Sequence, residues 1–181
     1  GAEPVAMIDY LAMERSDEEM AAEIIKGLVK GAEMAGIAII GGETAIMPDV
    51  IRGAVKGKGF DLAGLSIGVV DVDKVILGDK IRLGDVVIGV ESSGIHSNGL
   101  TLARRVLLEH AGLRVESYVD ELQCTLGDEL LKPTHIYVKP VLEILHRGAE
   151  VHGLAHITGG SFTKLMRIAP RGLGFKLNDM P

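Results

Sequence analysis

The run Ser92-Ser93-Gly94-Ile95-His96-Ser97-Asn98-Gly99-Leu100 holds the densest chemistry in the chain. Glycines, hydroxyls, an imidazole and a carboxamide stand between an apolar run (Val86, Val87, Ile88, Val90) and an amphipathic one (Leu102, Ala103, Val106, Leu107). An imidazole in such a place serves as a general acid or base, or as a neutral hydrogen-bond donor. Unpaired backbone amides at a helix start attract anions. The same residues also read as a plain strand-to-helix turn with Ser97 or Asn98 as N-cap. Composition alone leaves both readings open.

Two further glycine-rich polar segments read as turns that close apolar strands. In Gly41-Gly42-Glu43-Thr44 the glycines let a phosphate approach the backbone, and Glu43 can ligate Mg²⁺ carried by a nucleotide. The alternative there is a tight turn with a solvated glutamate. In His156-Ile157-Thr158-Gly159-Gly160 a helix start follows the glycines and can hold a phosphate, or can simply be capped by Thr158. Ligands of α/β folds collect at the carboxyl ends of strands, so three such turns point to a phosphate-bearing ligand. The reaction does not follow from them. Familiar catalytic patterns are missing from the sequence: no P-loop, no H-E-x-x-H, no G-x-S-x-G, and a single cysteine where a multi-cysteine zinc site needs several.

The elements that must position these turns alternate. Pro4–Met13 is an apolar run expected to form a buried strand. Ser16-Asp17-Glu18-Glu19 has the capping-box form, and Met20, Ile24, Leu28 and Ala32 then recur on one helical face up to Gly36. Residues 37–40 are expected as a short strand, 53–59 as a mobile loop or hairpin, and 62–72 as a strand. A boundary near residue 80 divides the chain into domains 1–79 and 80–181. Beyond it come a strand from Val86, a helix from Asn98 to His110 stopping at Gly112, a stretch of weak periodicity at 113–132, and a helix with Pro140 in its first turn. A strand at 151–157, a short helix ending before Pro170, and a further strand from 172 complete the pattern. Alternating strands and helices favour an α/β architecture.

The 181 residues are 47% apolar and 3% aromatic, which implies a sizeable core of aliphatic side chains. The net charge of −6 and the lack of a basic block argue against a nucleic-acid partner. No apolar run approaches the roughly 20 residues of a membrane span. One cysteine suits a reducing compartment, so a cytoplasmic setting is expected.

Gly1-Ala2-Glu3-Pro4, Gly41-Gly42-Glu43-Thr44-Ala45 with Met47-Pro48, Asp61-Leu62-Ala63-Gly64, Ser92 to Leu100, Pro133 to Lys139 and His156 to Gly160 stand in an order and spacing that resembles the aminoimidazole ribonucleotide synthetase family, the phosphoribosylformylglycinamidine cyclo-ligases. The resemblance spans essentially the whole chain. It implies a two-domain fold of the α/β class with mixed α+β sheets. It also implies an ATP- and Mg²⁺-dependent ligase of purine biosynthesis acting on a small ribonucleotide, and a homodimer. The family phosphorylates the amide oxygen of formylglycinamidine ribonucleotide; an amidine nitrogen then closes the imidazole and expels phosphate. Carried over by position, His96 and Asn98 are the catalytic candidates, and Ser93, Gly94, Thr158, Gly159 and Gly160 are expected to face the substrate. Gly41, Gly42, Glu43, Thr44 and Asp61 belong to the nucleotide side, with Glu43 as the metal candidate.

Members of that family carry a lysine-bearing glycine segment and an aspartate ahead of their G-A-E-P, and more residues at the other end. Neither part is in this sequence, so the chain is expected to be a fragment truncated at both ends and inactive alone. Ile95 stands where many members have proline, and Ser161 where many have a third glycine. The competing readings are a related ATP-dependent small-molecule kinase or dikinase, and a nucleotide-binding module without catalysis.

Overall fold

The computed structural model describes residues 1–178. They group into two compact units, one made of 1–75 with 136–150, the other of 76–135 with the described residues from 151 on.

The first unit is built on a three-stranded sheet in the order β2-β1-β3. Strand β1 (Glu3–Met13) is central; β2 (Ala38–Ile46) runs parallel to it and β3 (Phe60–Val69) antiparallel. Between β1 and β2 the chain forms helix α1 (Glu18–Ala35). Asp17, not Ser16, is its N-cap: the Met20 amide donates to Asp17 Oδ1 at 3.0 Å, which satisfies one of the orphan donors of the first turn. Gly36 ends the helix at φ 72°, a left-handed conformation that suits glycine. Helix α4 (Val138–His146) packs on α1 in the same unit. Its Lys139 Nζ donates to the Glu33 carbonyl at 2.8 Å, a cation placed on the C-terminal end of the α1 dipole.

The two faces of this sheet differ. Val29 and Ala32 of α1 meet Ile39 of β2 around a cavity of about 320 Å³, and Ile39 is in register with Met7. The helix therefore covers the face that carries Met7, Asp9, Leu11 and Met13. Leu11 and Met13 are fully buried there. The opposite face presents Ile8, Tyr10, Leu65 and Ile67 to solvent, the last two 57% and 54% exposed.

Residues 53–59, expected as a mobile loop or hairpin, form a loop that is tied down. Its Gly53 and Gly59 amides donate to Glu14 Oε2 at 3.4 and 3.3 Å, and Lys58 pairs with Asp17. These amides, that of Gly57 foremost, hold the Glu14 carboxyl below the usual carboxylate range, so a nearly buried charge stays ionised.

In the second unit, helix α2 (Leu100–Arg104) continues as wider π-type turns through His110. The weakly periodic region forms a minimal ribbon of β4 (Tyr118–Val119) and β5 (Cys124–Thr125), then α3 (Leu126–Leu130) capped by Thr125. The runs expected as strands at 86–90, 151–157 and from 172 are extended or turn-like, but join no ladder among the described residues. A strand needs a neighbour to pair its amides, and here Val86, Ile88 and Val90 lie open to solvent. The sizeable aliphatic core expected from composition is correspondingly small: the buried apolar residues among the described residues are Leu11, Ala12, Met13, Ala32, Ala103 and Leu126. No helix among the described residues is long and apolar enough to cross a membrane.

Candidate functional site

In the second unit two polar segments lie side by side. Asn98 Nδ2 donates to Thr158 Oγ1 at 3.0 Å. The His96 and His156 rings approach to 5.9 Å between centroids, tilted by 34°. Ser92 Oγ lies 2.8 Å from His96 Nε2. Together with Leu102 and Val106 of the following helical segment, Ser92, His96, Asn98 and Thr158 line a cavity of about 530 Å³. An apolar back wall with a few convergent polar groups at this volume is the usual form of a small-molecule site.

The alternative reading, in which Ser97 or Asn98 serves as the N-cap, does not hold. The N-cap position of α2 is Gly99 (φ 109°), with no side-chain cap, and the Asn98 carboxamide is engaged across the site instead. Thr158 likewise caps nothing with its side chain: its hydroxyl accepts from Asn98 while its carbonyl accepts the Ser161 amide at 2.8 Å. The residues after it form a seven-residue 3₁₀ segment, Ser161–Arg167, led by Gly160 at φ 87°.

The other candidates fall as follows. Gly94 lines the cavity at φ 105°. Gly159 lies behind it, where a Cβ would stand 3.2 Å from Asn98 Cγ. Ser93 turns away: its hydroxyl donates to the Pro133 carbonyl at 2.7 Å and accepts the His135 amide at 3.1 Å. Ser161 sits at φ 51°, in the left-handed region where glycine is at ease. The sequence reading named as site residues neither Ser92, which lines the cavity, nor His156, whose ring faces that of His96. The signal for His156 was equal spacing, since His96 precedes Asn98 by two residues and His156 precedes Thr158 by two.

Elsewhere in this unit, His152 Nδ1 donates to Asp85 Oδ2 at 2.7 Å and the Arg82 amide donates to the same carboxyl at 3.0 Å. The His152 bond first, then the Arg82 amide, holds the Asp85 carboxyl below its ordinary value. Burial pushes the Cys124 thiol up, and Glu129 adds to this, so Cys124 is not an activated nucleophile.

The nucleotide-side candidates belong to the first unit. Gly41, Gly42, Glu43 and Thr44 are not a turn. They lie inside β2, paired with Ile8 to Leu11 of β1. Parallel pairing with β1 carries the strand through to Ile46, beyond the expected end at residue 40. Because β2 is an edge strand, any phosphate would approach an open strand edge there, not a cradle. Glu43 Oε1 accepts the Thr44 amide at 2.9 Å, and Asp61 Oδ1 accepts that of Leu62 at 3.0 Å. Through Tyr10 and Ala12 of β1, Glu43 and Asp61 share the solvent-facing side of the sheet, about 12 Å apart at Cα from strand spacing and rise. Asp9, half-buried on the other face between Gly42 and Gly64, is a further carboxylate that the sequence reading passed over. No group of three or more metal-ligating side chains occurs among the described residues.

Residues 1–70 match the family described as AIR synthase related protein, N-terminal domain, and residues 82–180 match AIR synthase related protein, C-terminal domain. Among curated relatives, phosphoribosylformylglycinamidine cyclo-ligase of Methanobrevibacter smithii is 51% identical over 181 residues, which is 100% of this chain and 51% of the relative. The protein of the same name from Pyrococcus furiosus is 55% identical over 181 residues, 100% of this chain and 50% of its own. The chain thus spans about half the length of these relatives. Among solved structures, the hydrogenase maturation protein HypE superposes with TM-score 0.58 at 25% identity, over 93% of this chain and 46% of that one. HypE in complex with ATP gives 0.57 at 26% identity, over 93% and 44%. With a two-domain fold of mixed sheets and both domain matches in chain order, the chain belongs to the AIR synthase related family.

Proposed function

We propose that this chain forms part of an ATP-dependent cyclo-ligase that converts formylglycinamidine ribonucleotide to aminoimidazole ribonucleotide with release of ADP and phosphate, a step of purine biosynthesis. The observation that carries the reading is the polar wall of Ser92, His96, Asn98 and Thr158 on an apolar cavity of about 530 Å³. Its size suits a small ribonucleotide, and the relatives that match the whole chain at about half identity bear this enzyme's name. An amide oxygen is a poor leaving group; Mg²⁺·ATP supplies the phosphoryl group that makes it a good one. The chain's own residues bind and orient. Asn98, locked by Thr158, holds its carboxamide at a set angle toward the ligand, and His96, held by Ser92, places an imidazole beside it.

Glu43 is the residue to hold the nucleotide's Mg²⁺, with Gly41, Gly42 and Thr44 letting phosphates approach the β2 edge and Asp61 nearby on the same face. Use of ATP is supported by the HypE structure solved with that nucleotide. A homodimer formed through the exposed sheet face and a cytoplasmic setting complete the proposal; the lone Cys124 thiol suits a reducing compartment.

The test is turnover by the protein expressed from its own gene, with formylglycinamidine ribonucleotide and Mg²⁺·ATP. The expected result is aminoimidazole ribonucleotide and ADP formed in equal amounts. ATP consumed with a phosphorylated product and no ring would move the assignment to the kinase alternative.

A further inference from the structure

We propose that Ser93 is a positioning residue for ring closure: its hydroxyl pins the backbone that carries Ser92 and Gly94, and through Ser92 it holds His96 at its angle in the cavity. The inference rests on the cyclisation reading above. It gives Ser93 a different task from the substrate contact that the family resemblance implies. It also gives a task to Pro133 and His135, to which the resemblance assigned none. The observation behind it is a bond made in both senses. Ser93 Oγ donates to the Pro133 carbonyl at 2.7 Å and accepts the His135 amide at 3.1 Å. A hydroxyl has one donor and two lone pairs, so this one side chain joins two backbone segments by both kinds of bond.

The tie falls where the site needs it. Ser92 and Gly94, on either side of Ser93, line the cavity, and Ser93 itself does not. Ser92 Oγ stands 2.8 Å from His96 Nε2, and His96 lines the cavity too. A reacting group keeps its geometry only as well as the residues that support it are held. From Pro133 and His135 through Ser93 to Ser92 and His96, the support is continuous in covalent and hydrogen bonds. The Pro133 ring fixes that residue's φ, which stiffens the anchor at its far end. Gly94 is seated as closely. It stands at φ 105°, and a Cβ there would lie 3.1 Å from Oε1 of Glu129, which pairs with Lys132 at 2.5 Å. Glu129, Pro133 and His135 form the bed on which this part of the cavity wall rests.

Ser93 is neither acid nor base near neutral pH and lies outside the cavity lining, so its effect on the reaction passes through its neighbours. Removing its hydroxyl leaves the Pro133 carbonyl and the His135 amide without this partner and loosens the backbone that Ser92 rides on. A reacting group misplaced by about 1 Å can cost about 10²-fold in rate. Such a loss has a signature. An effect that acts through His96 disappears once the His96 imidazole is gone, whereas a general weakening of the fold adds to the loss of His96.

The experiment compares the wild type with Ser93→Ala, Ser93→Thr, His96→Ala and the double variant Ser93→Ala with His96→Ala, each expressed at natural length, in steady-state ring formation. Amide hydrogen exchange at His135 is read beside it. Ser93→Ala is expected to lose about 10-fold to 100-fold in kcat with KM within about threefold. Its His135 amide is expected to exchange at least about tenfold faster, because the bond that protects it is gone. Ser93→Thr keeps the hydroxyl and is expected within about threefold of wild type in kcat. The double variant is expected to be as slow as His96→Ala alone, within about threefold. Circular dichroism checks folding, and Ser93→Cys, a weaker donor at the same place, stands in for Ser93→Ala should that variant not fold. Ser93→Ala within about threefold of wild type, Ser93→Thr as slow as Ser93→Ala, losses that multiply in the double variant, or unchanged exchange at His135 each overturn the inference while the cyclisation reading stands. A wild type that forms no ring overturns the cyclisation reading and this inference with it.

Discussion

Single side chains in this protein gain their roles from partners far along the chain, and Asp85 shows how far. Its carboxylate accepts from His152, 67 residues away, and from the Arg82 amide, and both depress its protonation below the ordinary value of 3.8. The linkage has a definite sign. A carboxyl depressed in the folded state binds fewer protons than in the unfolded chain, so its stabilisation is complete above the ordinary value and is lost as pH falls through the depressed one. Acid titration followed by circular dichroism should therefore show wild-type stability falling with pH below the ordinary carboxylate range more steeply than in His152→Ala. Equal slopes would rule out the pair as the cause. The type of a residue is readable in sequence and its partner is not. His96 was singled out by its type, an imidazole among glycines and hydroxyls, and it lines the cavity. Ser93 was expected to face substrate from the family resemblance, and its hydroxyl is engaged by Pro133 and His135 backbone, forty residues on.

At the level of elements, periodicity located β1, α1 and α4 because each carries its own pattern of burial or capping. It misplaced the end of β2. Glycines and a polar pair read as a turn, whereas pairing with β1 makes them a strand, and that pairing partner lies some thirty residues upstream. The glycines are required there by neighbours, not by turning. A Cβ at Gly42 would stand 2.4 Å from Asp9 Oδ1 and 2.6 Å from the Asp9 carbonyl, while one at Gly41 would meet nothing within 4 Å. Gly42→Ala should thus force the β1–β2 pair apart and cost about 1–3 kcal/mol, and Gly41→Ala should stay within about 0.5 kcal/mol of wild type. Urea unfolding midpoints of the two variants check this; similar midpoints would mean that the strands yield at no cost. The apolar runs at 86–90 and 151–157 failed as strands for a related reason. Their sequences have strand character, but a ladder also needs a neighbour, and none pairs with them among the described residues.

At the scale of the whole molecule, the open face of the β2-β1-β3 sheet carries Ile8, Tyr10, Leu65 and Ile67 in adjacent rungs. An apolar face of this kind, one sheet thick and with its other side already covered by α1, suits sheet-on-sheet packing against a second copy. Glu43 and Asp61 stand on the same face, so a partner seated there would also desolvate these two carboxylates. Leu65 and Ile67 are themselves largely exposed, so two charges on that face, Leu65→Lys with Ile67→Lys, should leave the circular dichroism unchanged. In sedimentation velocity the wild type should run as a dimer and the double variant as a monomer. Because binding that favours the assembled form stabilises it by mass action, Mg²⁺·ATP affinity should fall with the dimer. A wild type that stays monomeric at every concentration, or a double variant that dimerises as well as the wild type, would place the interface elsewhere.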